Sequence, residues 1–304
     1  MNTVHNKWPC SWPMYFFYWC KSVLRMFTKR PKKMKLAAVY NLFDGEEILP
    51  YSLHNIRPHV DKIIVVYQLV SNMGQPADPS LESLLKQLQQ QGFIDFLYCY
   101  TPNLKLDPMK NELAKRRLGR RLAMALGCSH FLHMDTDEFF AGKEFEEAKT
   151  YIQQRGIKFS AVSIIEYLKS PCYEIVNGYT VNFGHGDRYV FYAPFITSIQ
   201  PFRRRALPII ADPTRQFNGY GRFWLFPKHS IVLHHYSTLR KNLNKKYDNS
   251  SLHVNADCAE EAKKGKRDIP SWKFEEHALS SEFSMFNDLI IKKVPNLFNL
   301  PEEL

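Results

Sequence analysis

Short apolar runs alternate with amphipathic segments between residues 35 and 134 of the 304-residue chain. Each apolar run ends in polar residues, which is typical of a strand buried in a parallel sheet. The predicted strands are residues 36–41, 62–67, 93–100 and 130–134. The segments between them carry apolar residues at helical spacing, and the predicted helices begin at Asp44, Ser80 and Asn111. Strands and helices that alternate over short connections predict an α/β fold, with a mostly parallel central sheet and helices on both faces.

The pattern becomes irregular beyond Asp137. Residues 160–165 predict a fifth strand, whereas the aromatic and glycine-containing stretch 173–202 resists assignment to either pattern. No internal repeat divides the chain. We therefore expect one domain over residues 34–304, with a regular half at 34–140 and an irregular half at 141–304.

The first 33 residues form a basic and aromatic arm. They carry seven Lys and Arg residues and no acidic residue, so only about +4 of the net charge of +11 remains for the rest of the chain. That mild excess does not suit a nucleic-acid-binding surface. The uncharged stretch 8–20 is too short to span a membrane. Two interpretations stand equally. The arm is an interfacial anchor that binds anionic lipid through aromatic rings and residues 29–33, or it is a disordered or incorrectly assigned start.

Six cysteines are scattered along the chain without a CxxC pair or a zinc-ligand spacing. Scattered single thiols suggest a reducing compartment. We therefore expect a cytoplasmic protein, which is peripheral at the cytoplasmic membrane face if the arm is an anchor.

Two carboxylates, Asp135 and Asp137, follow directly after the fourth predicted strand. In an open parallel sheet, ligands bind beyond the carboxyl ends of the strands, so both side chains should leave the sheet where a ligand binds. Mg²⁺ and Mn²⁺ prefer oxygen ligands and commonly share them with substrate phosphates. The sequence therefore predicts a divalent-cation site at this edge.

A histidine pair, His234 and His235, follows a second apolar run about a hundred residues later. A neutral imidazole would complete the coordination of a cation held by the aspartates. Neighbouring residues on a strand face opposite ways, so the sequence does not say which histidine points inward. Basic residues follow the pair, and Arg240 is the predicted phosphate contact because it is close to the histidines in sequence.

Four segments carry a family resemblance in the same order along residues 34–255. They are the first strand with Asn41 and Asp44-Gly45-Glu46-Glu47, the helix at Asn111-Glu112-Leu113-Ala114, HFLHMDTDEFF at 130–140, and HHYSTLRKNLNKKYDNSS at 234–251. Together they resemble the family 2-like glycosyltransferases of the GT-A fold. The regular half would then bind the nucleotide-sugar donor and the irregular half the acceptor.

The resemblance implies metal-dependent transfer of a sugar, with inversion, from a nucleotide-diphosphate sugar to a hydroxyl of a glycan or lipid-linked acceptor. It implies that Asp135 and Asp137 bind Mn²⁺ or Mg²⁺ and the donor diphosphate, joined by His234 or His235. It also implies that Asn41, Glu46 and the segment from Asn111 to Arg116 line the nucleotide pocket. A UDP-sugar is the favoured donor, although residues 67–72 lack the Asp-rich segment that many such enzymes carry.

An inverting transfer needs a carboxylate that takes the proton from the acceptor hydroxyl. The candidates are Asp212, Asp187 and Glu166, with Asp212 first because it lies before a proline and near Arg215. A sugar nucleotidyltransferase with the same metal site and a non-enzymatic basic scaffold that binds membrane or nucleic acid are the alternatives. A haloacid-dehalogenase-type phosphatase is disfavoured, because Phe139 stands where that motif needs Thr or Val.

Overall fold

The computed structural model describes residues 7–27, 33–177, 180–182, 188–190, 192–200, 210, 212, 214–215, 221–249, 269–278, 282–286 and 289–302. The strands are β1 (Leu36–Leu42), β2 (Lys62–Tyr67), β3 (Phe96–Cys99), β4 (His130–Met134), β5 (Glu138–Phe139), β6 (Phe159–Tyr167), β7 (Tyr173–Ile175), β8 (Thr180–Asn182), β9 (Arg188–Val190), β10 (Tyr192–Ser198), β11 (Phe223–Leu225), β12 (Val232–His235), β13 (Phe283–Phe286) and β14 (Leu289–Lys293). The helices are α1 (Trp12–Phe27), α2 (Leu49–Ile56), α3 (Leu81–Gln90), α4 (Pro108–Ala125), α5 (Gly142–Arg155), α6 (Leu243–Asp248) and α7 (Phe274–His277), with 3₁₀ turns at Arg57–His59 and Ile269–Ser271.

A large central sheet runs in the order β13-β14-β7-β6-β10-β4-β1-β2-β3. The strands β3, β2, β1 and β4 are parallel to one another, and β10 is antiparallel to both β4 and β6. The strands β11 and β12 pair in parallel with β6, and β12 also pairs with β5. The predicted α/β class with a mostly parallel inner sheet is thus confirmed.

Helices cover both faces of the parallel strands. Alternate residues of β1 point to opposite faces, so Ala38 and Tyr40 pack with α2, α3 and α5, whereas Ala37 and Val39 pack with α4. The approach of α4 is close because Gly119 has no side chain. A Cβ atom there would lie 2.3 Å from Cγ1 of Val39. This packing fixes the position of α4, whose first half supplies several residues of the site described below.

Two predicted helix starts are wrong. The helix expected from Asp44 begins at Leu49, because Gly45 has a φ of +86° and the backbone turns there before the helix. The helix expected from Asn111 begins at Pro108, where the side chain of Asp107 caps it by accepting a hydrogen bond from the amide of Met109 at 2.8 Å.

The predicted cap at Ser80 is also not formed through its side chain. Ser80 does stand immediately before α3, but its hydroxyl donates to Oδ1 of Asp78 at 2.6 Å instead of accepting from the helix. The start of this helix is therefore placed correctly, whereas the capping interaction is not.

The N-terminal arm contains a folded helix, α1, that lies on α4. Tyr15, Tyr18 and Trp19 pack against the core beside α4, and Nη1 of Arg25 donates to the carbonyl of Cys128 at 3.1 Å. Pro13 is in the first turn of α1, where a missing N–H costs little. The structure thus describes residues 12–27 as a helix with one face packed on the core. In the part of the chain that is described, no helix combines the length and the apolar character needed to cross a membrane.

Candidate active site

A cavity of about 330 Å³ lies beyond the carboxyl ends of β1 and β4. Its charged and polar lining comes from the ends of these strands and the residues that follow them, from α4, from Asp212, Thr214 and Arg215, and from the end of β12 and the segment after it. These lining residues are Asn41, Asp44, Glu112, Lys115, Arg116, Asp135, Thr136, Asp137, Glu138, Asp212, Thr214, Arg215, His235, Arg240, Lys246 and Asn249. The location is the one at which open α/β sheets bind their ligands.

Asp135 lies between two buried arginines. Its Oδ1 is 3.3 Å from Nη2 of Arg116, and its Oδ2 is 2.5 Å from Nη2 of Arg215. Burial opposes ionisation, but the two guanidinium groups outweigh it and hold the pKa of Asp135 below its usual range. Asp135 is therefore a carboxylate, paired with cations that also face the cavity.

Asp137 also pairs with two cations, and both contact the same oxygen. Nη2 of Arg240 lies 2.6 Å and Nζ of Lys246 lies 3.0 Å from Oδ2 of Asp137. The other oxygen, Oδ1, is 3.5 Å from Nε2 of His235. The cations outweigh the cost of burial, so the pKa of Asp137 is well below its ordinary value. Gly45 makes room for Arg240, because a Cβ atom at Gly45 would lie 2.5 Å from Nη1 of Arg240.

His235 is the histidine of the pair that faces the cavity. Its Nδ1 contacts Oε1 of Glu166, whose Oε2 accepts a hydrogen bond from the hydroxyl of Ser237 at 3.0 Å. Burial alone would lower the pKa of His235, but Glu166 and Asp137 together raise it to about 10. The imidazole is therefore protonated at neutral pH in this state, whereas the sequence analysis expected a neutral one.

His234 points to the opposite face of β12 and does not reach the carboxylates. Its Nδ1 is 2.8 Å from the hydroxyl of Tyr167, and its ring packs edge-on against Phe298. Burial lowers the pKa of His234 to about 4, which keeps the ring neutral. The structure thus brings only His235 of the pair next to the aspartates.

Arg215 connects three acidic side chains at the floor of the cavity. Its Nη2 lies 2.5 Å from Oε1 of Glu138 as well as 2.5 Å from Asp135, and its Nε is 3.4 Å from Asp212. Oε2 of Glu138 also accepts a hydrogen bond from the amide of Asp135 at 2.9 Å. Neither Glu138 nor Arg215 was among the predicted site residues. The available signal was that Glu138 follows Asp137 directly.

The candidate bases occupy different positions. Asp212 lines the cavity, where Nη2 of Arg116 is 3.0 Å from its Oδ2. Glu166 does not line the cavity and instead contacts His235 and Ser237. Asp187 lies outside the described residues. Among the described candidates, Asp212 alone has a carboxylate at the cavity surface.

The predicted nucleotide-contacting residues also separate into two groups. Asn41 and Arg116 line the cavity, whereas Glu46 and Asn111 do not. Asn111 is fully buried and fastens the loop after β3, because its side chain exchanges hydrogen bonds of 2.9 Å with the backbone of Asn103. Burial raises the pKa of Glu46.

The side-chain oxygens that line the cavity suit a cation that is shared with a phosphate ligand. They do not form a complete metal centre by themselves. Within the described ranges, no group of three or more His, Cys, Asp or Glu side chains is arranged to hold a metal ion. The carboxylates of Asp135 and Asp137 both line the cavity, and Oδ1 of Asp137 takes no part in the contacts that Oδ2 makes with Arg240 and Lys246. Mg²⁺ typically takes one or two protein carboxylates and completes its coordination with water and substrate phosphates.

Comparison with family models gives no match to this chain, and no curated protein matches it. Among solved structures, S. aureus TarS aligns over 49% of this chain and 23% of its own, with 13% identity and a TM-score of 0.34. TarS 1–349 in complex with UDP-GlcNAc aligns over 44% of this chain and 35% of its own, with 11% identity and a TM-score of 0.33. GalNAc-T7 with UDP, GalNAc and Mn²⁺ aligns over 69% of this chain and 46% of its own, with 9% identity and a TM-score of 0.41. Both proteins are GT-A glycosyltransferases, and each alignment spans less than half of their length.

Proposed function

We propose that this chain is a glycosyltransferase that moves a sugar from a nucleoside-diphosphate sugar to an acceptor hydroxyl, with a divalent cation bound by Asp135 and Asp137. The observation that carries the proposal is the composition of one cavity at the carboxyl end of β4. Two carboxylates spaced by one residue share it with five Lys and Arg side chains and His235. A family 2-like identity, inversion, and a glycan or lipid-linked acceptor remain part of this proposal.

The charges that line the cavity are balanced without a ligand. The six acidic residues are Asp44, Glu112, Asp135, Asp137, Glu138 and Asp212. They face Lys115, Arg116, Arg215, Arg240, Lys246 and the protonated ring of His235. A divalent cation and a diphosphate with about two negative charges enter such a site as a neutral pair. The aspartates would then hold the cation, and the basic side chains that now contact them would neutralise the phosphate oxygens.

This exchange gives each side chain a role. Asp135 and Oδ1 of Asp137 would hold Mn²⁺ or Mg²⁺, which supplies a Lewis acid for the departing diphosphate when bound. Arg240 and Arg116 would neutralise the diphosphate, because their guanidinium groups already face the cavity. Asp212, at the cavity surface, would take the acceptor proton in an inverting transfer.

A thermal-shift panel tests the binding step. UDP, GDP, CDP and ADP are added to the full chain with and without Mn²⁺, and at least one should raise the Tm only when Mn²⁺ is present. A ligand at a hundred times its Kd stabilises a protein by about 2.7 kcal/mol, which is readily measured. Asp137→Asn should abolish the metal-dependent shift. Asp95→Asn, which removes a carboxylate far from the cavity, is the matched control and should keep it.

The released product tests the reaction. Turnover of the donor in the presence of acceptor should release nucleoside diphosphate, whereas a sugar nucleotidyltransferase would release pyrophosphate. A nucleotide shift that ignores Mn²⁺, or one that persists unchanged in Asp137→Asn, would contradict the proposed metal site. A chain without turnover, whose properties do not change in Asp135→Asn, would indicate a non-enzymatic scaffold.

A further inference from the structure

The outer face of α1 and the residue stretch before it expose a concentrated apolar surface. Among the residues whose placement is described, sixteen large apolar side chains are exposed, and seven of them lie between residues 8 and 27. They are Trp8, Trp12, Met14, Phe16, Phe17, Leu24 and Phe27. Trp12 is 75% and Phe27 is 80% exposed, so these rings are almost fully in contact with water. A contiguous exposed patch of this kind marks an interaction surface.

The opposite face of α1 packs against the rest of the protein. Tyr15, Tyr18 and Trp19 pack beside α4, and the ring of Tyr18 is within 3.0 Å of where a Cβ atom of Gly127 would stand. The hydroxyl of Ser22 is buried and donates to the carbonyl of Trp19 at 2.8 Å. The helix is therefore held with one face inward, and its outer aromatic residues point away from the core of this chain.

The positive charge of the chain before Asp44 indicates what kind of partner this surface would bind. The chain has no acidic residue before Asp44, but it has eight Lys and Arg residues there. A second copy docked on the same face would bring like charges together. Anionic lipid headgroups would instead complement them. Lys21 stands beside the exposed rings, with Nζ 5.2 Å from the ring centroid of Phe17.

The length of α1 determines how it would meet a bilayer. Sixteen residues span about 24 Å, which is shorter than the roughly 30 Å hydrocarbon core of a bilayer. One face also stays packed on the protein. Such a helix lies in the plane of the interface, with aromatic rings at the level of the headgroups.

From these observations we propose that the outer face of α1 binds the surface of an anionic lipid bilayer and attaches the protein peripherally. The inference is independent of the reaction proposed for the cavity. Apolar side chains of this face would supply the insertion, and the basic residues of the same stretch of sequence, with Lys21 beside the rings, would supply the preference for anionic lipid.

Vesicle sedimentation of the full chain tests the proposal. The vesicles are phosphatidylcholine alone and an equal mixture of phosphatidylcholine and phosphatidylglycerol. We expect binding to the mixed vesicles to exceed binding to the neutral ones by about tenfold or more, and to weaken with added salt. Replacing Lys7, Lys21 and Lys33, three of the eight basic residues, with glutamine should reduce that preference.

Two serine triple variants distinguish binding through this face from non-specific binding by exposed apolar side chains. Trp12→Ser/Phe16→Ser/Phe27→Ser should lower binding to mixed vesicles by about tenfold or more. The matched control, Leu104→Ser/Leu106→Ser/Leu297→Ser, also removes three exposed apolar side chains but should bind as the parent does. Circular dichroism and thermal unfolding check that both variants fold.

Four results would overturn the proposal. The parent chain binds neither vesicle, the α1 triple variant folds and binds as well as the parent, or binding is equal on both vesicle types. A dimer in vesicle-free solution that the α1 triple variant dissociates would assign the face to a second copy and would also overturn it. Sedimentation velocity of the parent and the variant at several concentrations provides that measurement.

Discussion

Arg215 offers a direct test of how the charges of the cavity stabilise the fold. Its side chain is 5% exposed and contacts Glu138, which is 3% exposed, through two nitrogen–oxygen pairs of 2.5 and 3.1 Å. Arg215→Gln would leave Glu138 buried without its cationic partner, whereas Asp135 would keep Arg116 at 3.3 Å. Removing one partner of a buried ion pair costs about 3–5 kcal/mol.

Protonation of Glu138 limits this loss. Burial and the nearby Asp135 raise the pKa of Glu138 even with Arg215 in place. Without the guanidinium, the carboxyl takes up a proton more readily and avoids part of the penalty. We therefore expect Arg215→Gln to lose about 3 kcal/mol at pH 8. We also expect the loss to shrink towards pH 5, because the variant gains a proton at Glu138.

Urea unfolding of the parent and variants at several pH values measures the effect. Arg215→Lys keeps the charge but not the two-pronged geometry, so it should lose about 1–2 kcal/mol. Arg215→Gln/Glu138→Gln removes both charges and should be more stable than Arg215→Gln alone. A loss below about 1 kcal/mol for Arg215→Gln, or a double variant no more stable than the single one, would refute the reasoning.

Three further predictions concern the core and the candidate bases. Burial opposes ionisation of Asp95, but hydrogen bonds from two cationic side chains at 2.6 Å lower its pKa. Because these ion pairs are partly exposed to solvent, Asp95→Asn should cost only about 1 kcal/mol in urea unfolding at pH 7. The difference should be complete above about pH 5 and shrink as pH falls below about 4, because the stability that a depressed carboxyl pKa gives is lost as pH falls through that lowered pKa. Gly119→Ala should lower the free energy of unfolding by about 1–3 kcal/mol through collision with Val39, and a stabilised variant would contradict this packing. Asp212→Asn should lower turnover by about 10²-fold or more and keep the metal-dependent nucleotide shift. Glu166→Gln removes the partner that orients the imidazole of His235 beside Asp137, so it should lower turnover and also reduce the nucleotide shift.

The parallel strands could be predicted because burial on both faces leaves a continuous apolar run. The predicted ranges 62–67 and 130–134 coincide with β2 and β4 for this reason. The helix starts were harder, because they depend on single backbone positions. The positive φ of Gly45 delays α2, and Asp107 caps α4 earlier than the apolar pattern suggests.

The site was only partly predictable, because its residues come together from distant segments. Asp135 and Asp137 were visible since the end of a strand can be recognised from sequence. The inward histidine was not, because the facing of His235 depends on how β12 pairs with β5 and β6. Arg215 is 80 residues from Asp135, and Lys246 is 109 residues from Asp137. No local pattern marks either contact.

The pairing of these charges also bears on how a ligand would enter. Buried charges are tolerated here because Asp135 and Asp137 each contact two cations. A diphosphate that entered alone would compete with the aspartates for the same guanidinium and ammonium groups, and would leave buried carboxylates without partners. A divalent cation that entered alone would add positive charge beside these cations without an anion to balance it. The proposed site would therefore take up a metal–diphosphate pair in preference to either component alone.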